Sequence, residues 1–290
     1  MRKFPFLLIL VLSFSAFSQN DSVTLVSGRW TVDTVDTGLV LKTVRFSHKE
    51  LFSANQCISL LELSPESPYR LAFSHEQRRT PTSQQAKRHG AVAAVNGSFF
   101  DMERHNPICY LRIHGKELGQ NTPGTDTVNR KYYQYGTMVL RFGRPLIMRT
   151  DSSRHWERRL RERNIMTAGP LLIKGGERQP MRTDRTFVTQ RHNRTAVGVR
   201  SDGTVVLFVV DGRMRESAGM SLEELIQTLS WLGCVDALNL DGGGSTTLWV
   251  RDRGEGGIVN YPTDNGRFDR RGERAVSNCV LVVKETGGSK

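Results

Sequence analysis

Short apolar runs separated by polar turns set the pattern of this chain. Runs at Leu39 to Phe46, Ile58 to Leu63, Ala91 to Val95, Gly136 to Phe142, Ala196 to Val199, Val205 to Val210, Val235 to Leu240, Thr247 to Val250 and Ala275 to Val283 predict strands. Helical spacing is rarer. Thr82 to His89 predicts a helix stopped by Gly90, and Ser221 to Glu224 forms a capping box that opens a helix through Leu232, ended by Gly233. The stretch Arg154 to Arg163, with Glu157 and Glu162 among its arginines, predicts a third helix with a solvated face. The fold class expected is α+β: a mixed central β-sheet with many short strands and a few helices, and loops at the strand ends forming one cleft.

An order recurs along the chain. A helix ending in glycine leads to an apolar strand and then to an unusual loop, first at Asn96-Gly97-Ser98-Phe99-Phe100-Asp101 and again at Asp241-Gly242-Gly243-Gly244-Ser245. A weaker third case runs from the Arg154 stretch through Ile165 and Met166 to Ala168-Gly169-Pro170. Glycine accepts positive φ and lets another molecule approach the backbone, so an acid beside three glycines fits a site; a tight turn between strands is the plainer alternative. Arg191 to Arg194 precedes one strand, Asp211-Gly212-Arg213 follows the next, and Glu273-Arg274 opens the last. The planar fork of arginine matches phosphate or carboxylate oxygens in pairs, whereas a surface ion pair is the alternative for any one of them.

The amino terminus changes the picture of where the chain works. Arg2 and Lys3 precede an apolar run from Phe4 to Phe17, and Ala16-Phe17-Ser18 supplies the small residues of a cleavage site. Residues 1–18 therefore predict a signal peptide and a secreted or periplasmic protein, with a short membrane anchor as the alternative; no later segment predicts a membrane span. Residues 19–90 are expected to supply strands and a helix packed on the core, 91–285 the catalytic domain, and 286–290 a flexible tail. The net charge of +12 favours anionic partners. No nucleic-acid module is recognisable, so nucleic acid is not an expected partner. Four cysteines without a C-x-x-C pair argue against zinc and thioredoxin-like sites. Cys57, Cys234 and Cys279 lie in apolar runs and predict buried free thiols. Asn96-Gly97-Ser98 and Asn193-Arg194-Thr195 match the glycosylation acceptor pattern, yet both read better as site segments. Ser245 lacks the second glycine of a nucleophile elbow, and no lysine follows the glycines as in a P-loop.

Six motifs, in order, resemble the phosphodiester glycosidase family: Val95 to Phe100, Ala168-Gly169-Pro170, Arg194 to Gly198, Val210 to Arg213, Leu238 to Thr246, and Glu273 to Val276. The resemblance covers roughly Ala91 to Val283. Ser98 stands where the family more often has a second glycine, and residues 19–88 match nothing in it. The resemblance implies a hydrolase that cleaves the anomeric carbon-oxygen bond of a sugar-1-phosphodiester in cell-envelope or exogenous phosphoglycans. A departing phosphate monoester has a second pKa near ~6, so charge stabilisation matters more than a strong general acid. An oxocarbenium-like transition state calls for a carboxylate. Asp241 and Glu273 are the candidates for that role or for activating water, with Asp211 third. Arg194, Arg213 and Arg274 would hold the phosphate, and amides of Gly242, Gly243 and Gly244 would add donors. Asn96, Gly97, Ser245 and Thr246 are further binding candidates, and Phe99, with Phe100, would line the sugar pocket. No cofactor is expected; a divalent cation near Asp241 or Asp211 stays open. So do two other functions, a non-catalytic assembly protein for an anionic exopolysaccharide and a metal-dependent phosphodiesterase.

Overall fold

The computed structural model describes residues 20–121, 134–151, 153 and 155–285. The expected signal peptide and tail lie outside the described residues. Among the described residues three sheets hold the strands. The largest has the order β1 (Thr31–Asp36), β2 (Leu39–Leu51), β3 (Ala54–Leu63), β14 (Val205–Val210), β13 (Arg194–Arg200), β15 (Cys234–Asn239), β11 (Leu171–Lys174), β12 (Glu177–Arg178). A five-stranded sheet runs β7 (Lys116–Gly119), β6 (Leu111–Ile113), β10 (Ile165–Ala168), β8 (Gly136–Arg141), β9 (Arg144–Arg149). The third runs β16 (Leu248–Val250), β5 (Ala93–Asn96), β17 (Ala275–Lys284), β4 (Tyr69–Pro81).

Neighbouring strands in all three sheets pair antiparallel, which corrects the expected single mixed sheet. Parallel neighbours need long crossovers, and many of the pairs here are short hairpins. Even the crossover from β14 through helix Leu222–Trp231 to β15 leaves β13 between those two strands. Their loops therefore leave the sheet at the same edge, separated by one strand.

The run at Val205–Val210 is continuous because β14 is covered on both faces. Val205, Leu207 and Val209 enter a core shared by all three sheets, and Val206, Phe208 and Val210 meet Leu222, Leu225, Ile226 and Leu229. Among the described residues four α-helices lie outside the sheets: α1 (residues 20–26), α2 (Thr82–Arg88), α3 (Thr186–Thr189) and α4 (Leu222–Trp231). The predicted caps form. Ser221 Oγ accepts from Glu224 N at 3.2 Å, the Glu224 carboxylate accepts from Ser221 N at 2.9 Å, and Gly90 and Gly233 take φ of 62° and 84°.

The predicted helix over Arg154 to Arg163 is replaced by a 3₁₀ turn, Trp156–Arg159. Trp156 is buried edge-on against Tyr110, and Arg112 donates to the carbonyls of Glu157, Leu160 and Glu162 that a helix would have used. All four cysteines are buried, and none forms a disulfide among the described residues. No helix among the described residues is long and apolar enough to cross a membrane.

Candidate active site

Asn96, the last residue of β5, is wholly buried and ties three segments together. Its Nδ2 donates to the main-chain carbonyl of Asp241 at 2.6 Å, and its Oδ1 accepts from Thr195 Oγ1 at 2.7 Å and Thr247 N at 3.2 Å. The Gly97 carbonyl accepts from Asp241 N at 3.0 Å, so the backbone of Asp241 is gripped on both sides. Gly97 is required by close approach, because a methyl there would run into the Asn278 side chain. Ser98 fits beside it: the amide donates to Asn278 Oδ1 at 2.7 Å and the hydroxyl lies 3.3 Å from the same oxygen. The family's second glycine is therefore dispensable here.

Asp241 is partly buried and Oδ1 accepts from Gly242 N at 2.9 Å. Burial pushes its carboxyl up to about 6, opposed by the nearby Ser245 hydroxyl, the Gly242 amide, Arg274 and Arg213. Gly243 N donates to the Asn193 carbonyl at 2.9 Å, so the Gly242 and Gly243 amides are already engaged. Ser245 Oγ and Thr247 Oγ1 are buried without a hydrogen-bond partner among the described residues. The Ser245 hydroxyl influences Asp241 from beyond hydrogen-bond geometry. Thr246 is buried, its hydroxyl 3.3 Å from Thr195 Oγ1.

Two guanidinium groups flank the glycines. Arg213, itself at φ 62°, lies against Gly243 and donates from Nε to His192 Nδ1 at 3.2 Å. Its terminal nitrogens make no hydrogen bond among the described residues. Arg274 lies against Gly244 and donates from Nε to Asp264 Oδ1 at 2.8 Å. His192 is a neighbour that sequence reasoning passed over, although it stands between the arginines of the Arg191 to Arg194 segment. Burial, with Arg194 and Arg213, pushes its pKa down to about 4, so the imidazole is neutral and accepts from Arg213.

The remaining predicted residues sit elsewhere or have structural partners. Arg194 is 1% exposed; it donates to the carbonyls of Met220, Phe187 and Gln190 at 2.8–2.9 Å and lies 5.1 Å above the Phe187 ring. Burial and then Arg213 lower its pKa to about 9. Phe99 meets the edge of Phe187, while Phe100 packs in the core beneath α2. Glu273 accepts from Ser83 N at 2.7 Å and Ser83 Oγ at 2.6 Å, holding the first turn of α2. Burial raises its pKa, against those two bonds. Asp211 Oδ1 accepts from Asn260 Nδ2 at 2.8 Å and Tyr261 N at 3.0 Å, and burial pushes it up to about 7. The structure thus assembles Asn96, Gly97, Arg213, Asp241 to Thr246 and Arg274, and gives Arg194, Asp211 and Glu273 other surroundings. Among the described residues no three His, Cys, Asp or Glu side chains converge to hold a metal ion.

Known proteins are similar to this chain in sequence and in fold. A 121-residue segment is 36% identical to the SPbeta prophage-derived uncharacterized protein YomE of Bacillus subtilis, covering 41% of this chain and 17% of that one. The N-acetylglucosamine-1-phosphodiester alpha-N-acetylglucosaminidase of Bos taurus is 28% identical over 215 residues, 71% of this chain and 39% of its own. The Mus musculus enzyme of that name is 35% identical over 124 residues, 42% of this chain and 23% of its own. The chain spans only 17 to 39% of the length of these curated relatives. The solved catalytic domain of the zebrafish enzyme, auto-inhibited by its pro-peptide, superposes with a TM-score of 0.65 at 20% identity, covering 86% of this chain and 85% of that one. At that identity the likeness is one of fold. A phosphodiester glycosidase profile matches residues 89–283, about two thirds of the molecule, and this chain belongs to the phosphodiester glycosidase family.

Proposed function

We propose that this protein is an exported hydrolase that cleaves the anomeric carbon-oxygen bond of a sugar-1-phosphodiester, acting on cell-envelope or exogenous phosphoglycans. One observation carries the reading: Asp241 is held by its own backbone between Asn96 and Gly97, with Arg213 and Arg274 beside the adjoining glycines. Ionised Asp241 faces the positive charge that develops on the sugar ring, and the two guanidinium groups take the phosphate oxygens and their growing charge. Export rests on the amino-terminal pattern. The activity that names the mammalian relatives supports the same bond class.

Hydrolysis of an N-acetylglucosamine-1-phosphodiester by the purified protein in ¹⁸O-labelled water tests this. Label is expected in the anomeric hydroxyl, and label confined to the released phosphate would sink the assignment. Asp241→Asn is expected to lower kcat by about 10³-fold or more. The wild-type rate should rise with pH through about 6 as Asp241 ionises. Substrate binding without release by the wild type would point to a glycan-binding protein instead.

A further inference from the structure

A cavity of about 430 Å³ opens between β1–β3 and the segment 253–270. Most of its lining precedes residue 89, where the family match begins. Strand register places Thr31 opposite Thr43, and Thr43 opposite Ser59. All three line the cavity, so their hydroxyls form a row across three strands, and none has a hydrogen-bond partner among the described residues. Asp211 also lines it, 1% exposed; Oδ1 is taken by Asn260 and Tyr261, while Oδ2 has no protein donor among the described residues.

The charged lining includes half-buried Arg270, whose charge acts on Asp211, and two arginines nearer solvent. Arg29 and Arg45 line the cavity and are exposed, and neither has a carboxylate partner among the described residues. Arg253 is neutralised by Asp33, at 2.5 Å. One wall is a stack in which Arg45 lies 5.6 Å from the Phe268 ring, Phe268 lies 4.2 Å from Tyr261, and Arg270 lies 4.8 Å from Tyr261. A buried carboxylate oxygen with unpaired hydroxyls accepts and donates to sugar hydroxyls, and unpaired guanidinium groups nearer solvent hold an anion. The volume falls within the ~300–1,000 Å³ of small-ligand sites.

We propose that this cavity is a second binding site, separate from Asp241, for an anionic monosaccharide unit bearing phosphate or carboxylate, with its hydroxyls toward Asp211 and Ser59 and its charge toward Arg29 and Arg45. The two sites share a wall, since Asn260 Nδ2 donates both to Asp211 and to the Thr246 carbonyl at 3.2 Å. This inference stands whether or not the protein hydrolyses phosphodiesters.

Calorimetric titration of the full chain with glucose 6-phosphate, galacturonate, glucose and inorganic phosphate tests it. At least one of the two anionic sugars is expected to bind at least tenfold more tightly than glucose or inorganic phosphate, and which one does identifies the anionic group. Arg29→Gln with Arg45→Gln, both at exposed positions, should weaken that binding at least tenfold, and Asp241→Asn should leave it within twofold. Any turnover of a sugar-1-phosphodiester should persist in the arginine double variant. No binding of either anionic sugar, equal binding of glucose or inorganic phosphate, unchanged affinity in the arginine variant, or loss of turnover in it would each overturn the proposal.

Discussion

The Asn96 side-chain amide donates to the main-chain carbonyl of Asp241 at 2.6 Å, across 145 positions of sequence. A residue that looked like a ligand contact is therefore the clamp that aims the acid. Asn96→Ala would leave Thr195 Oγ1, Thr247 N and the Asp241 carbonyl without their buried partner. The expected loss is about 2–4 kcal/mol in urea unfolding, because unmet polar groups in the interior are costly. Asn96→Asp keeps both acceptor contacts but sets a carboxylate against a carbonyl, and should also destabilise. Stability within 0.5 kcal/mol of wild type in both variants would remove the clamp.

Glu273 and Ser83 make a second relationship that decides between roles. With both oxygens of Glu273 on the first turn of α2, Glu273→Ala is expected to cost about 1–3 kcal/mol. Glu273→Gln retains an acceptor for Ser83 N and a donor for its hydroxyl, so it should recover most of that stability. Hydrolysis by the Gln variant should stay within about threefold of wild type, against the far larger effect of Asp241→Asn. A Gln variant that is stable but inactive would return Glu273 to the reaction.

Asp211 makes stability depend on pH. Its folded-state pKa of about 7 lies above the ordinary 3.8, because burial disfavours the carboxylate. Below pH 4 both states are protonated and nothing is lost. As pH rises toward 7 the unfolded chain releases a proton the folded one keeps, so stability falls and reaches its full deficit above 7. Asp211→Asn stays neutral and can still accept from Asn260 and Tyr261. Its advantage over wild type should grow by about 2–4 kcal/mol between pH 4 and pH 8, read from urea midpoints. An advantage independent of pH would show that Asp211 titrates normally.

What could be read from the sequence was local or two-sided. The capping box at Ser221 and the glycine stops at Gly90 and Gly233 involve neighbours along the chain, and the run at Val205–Val210 reports burial on both faces. β4 was missed because only Tyr69, Leu71 and Phe73 alternate into the core, before the strand turns polar through Arg78 and Arg79. At the site, motif residues identified the segments but not the direction of their side chains. Glu273 and Arg274 are adjacent, yet one binds Ser83 and the other Asp264, so only Arg274 reaches the glycines. His192 carried a readable signal, a histidine between arginines, whereas the Asn278 contact that requires Gly97 joins residues about 180 positions apart.

The three glycines after Asp241 serve three different needs, and alanine at each should separate them. A methyl at Gly242 would lie 2.6 Å from the Asn193 carbonyl, which cannot retreat without breaking its bond from Gly243 N at 2.9 Å. Gly242→Ala should therefore cost about 2–3 kcal/mol in stability. Gly243 sits at φ 59°, where a side chain costs about 1–2 kcal/mol and would also press on Arg213. Gly244 has neither a left-handed φ nor a backbone obstacle; a methyl there meets the ends of Arg274 and Asp264, which can swing aside. Gly244→Ala should lose less than about 1 kcal/mol while moving Arg274 off the site, lowering kcat/KM about tenfold. Thermal unfolding should rank the variants with Gly242→Ala weakest, and kinetics should single out Gly244→Ala as the one whose activity falls further than its stability. Wild-type kcat/KM in Gly244→Ala would take Arg274 out of the reaction and leave Arg213 as the phosphate's partner beside Asp241.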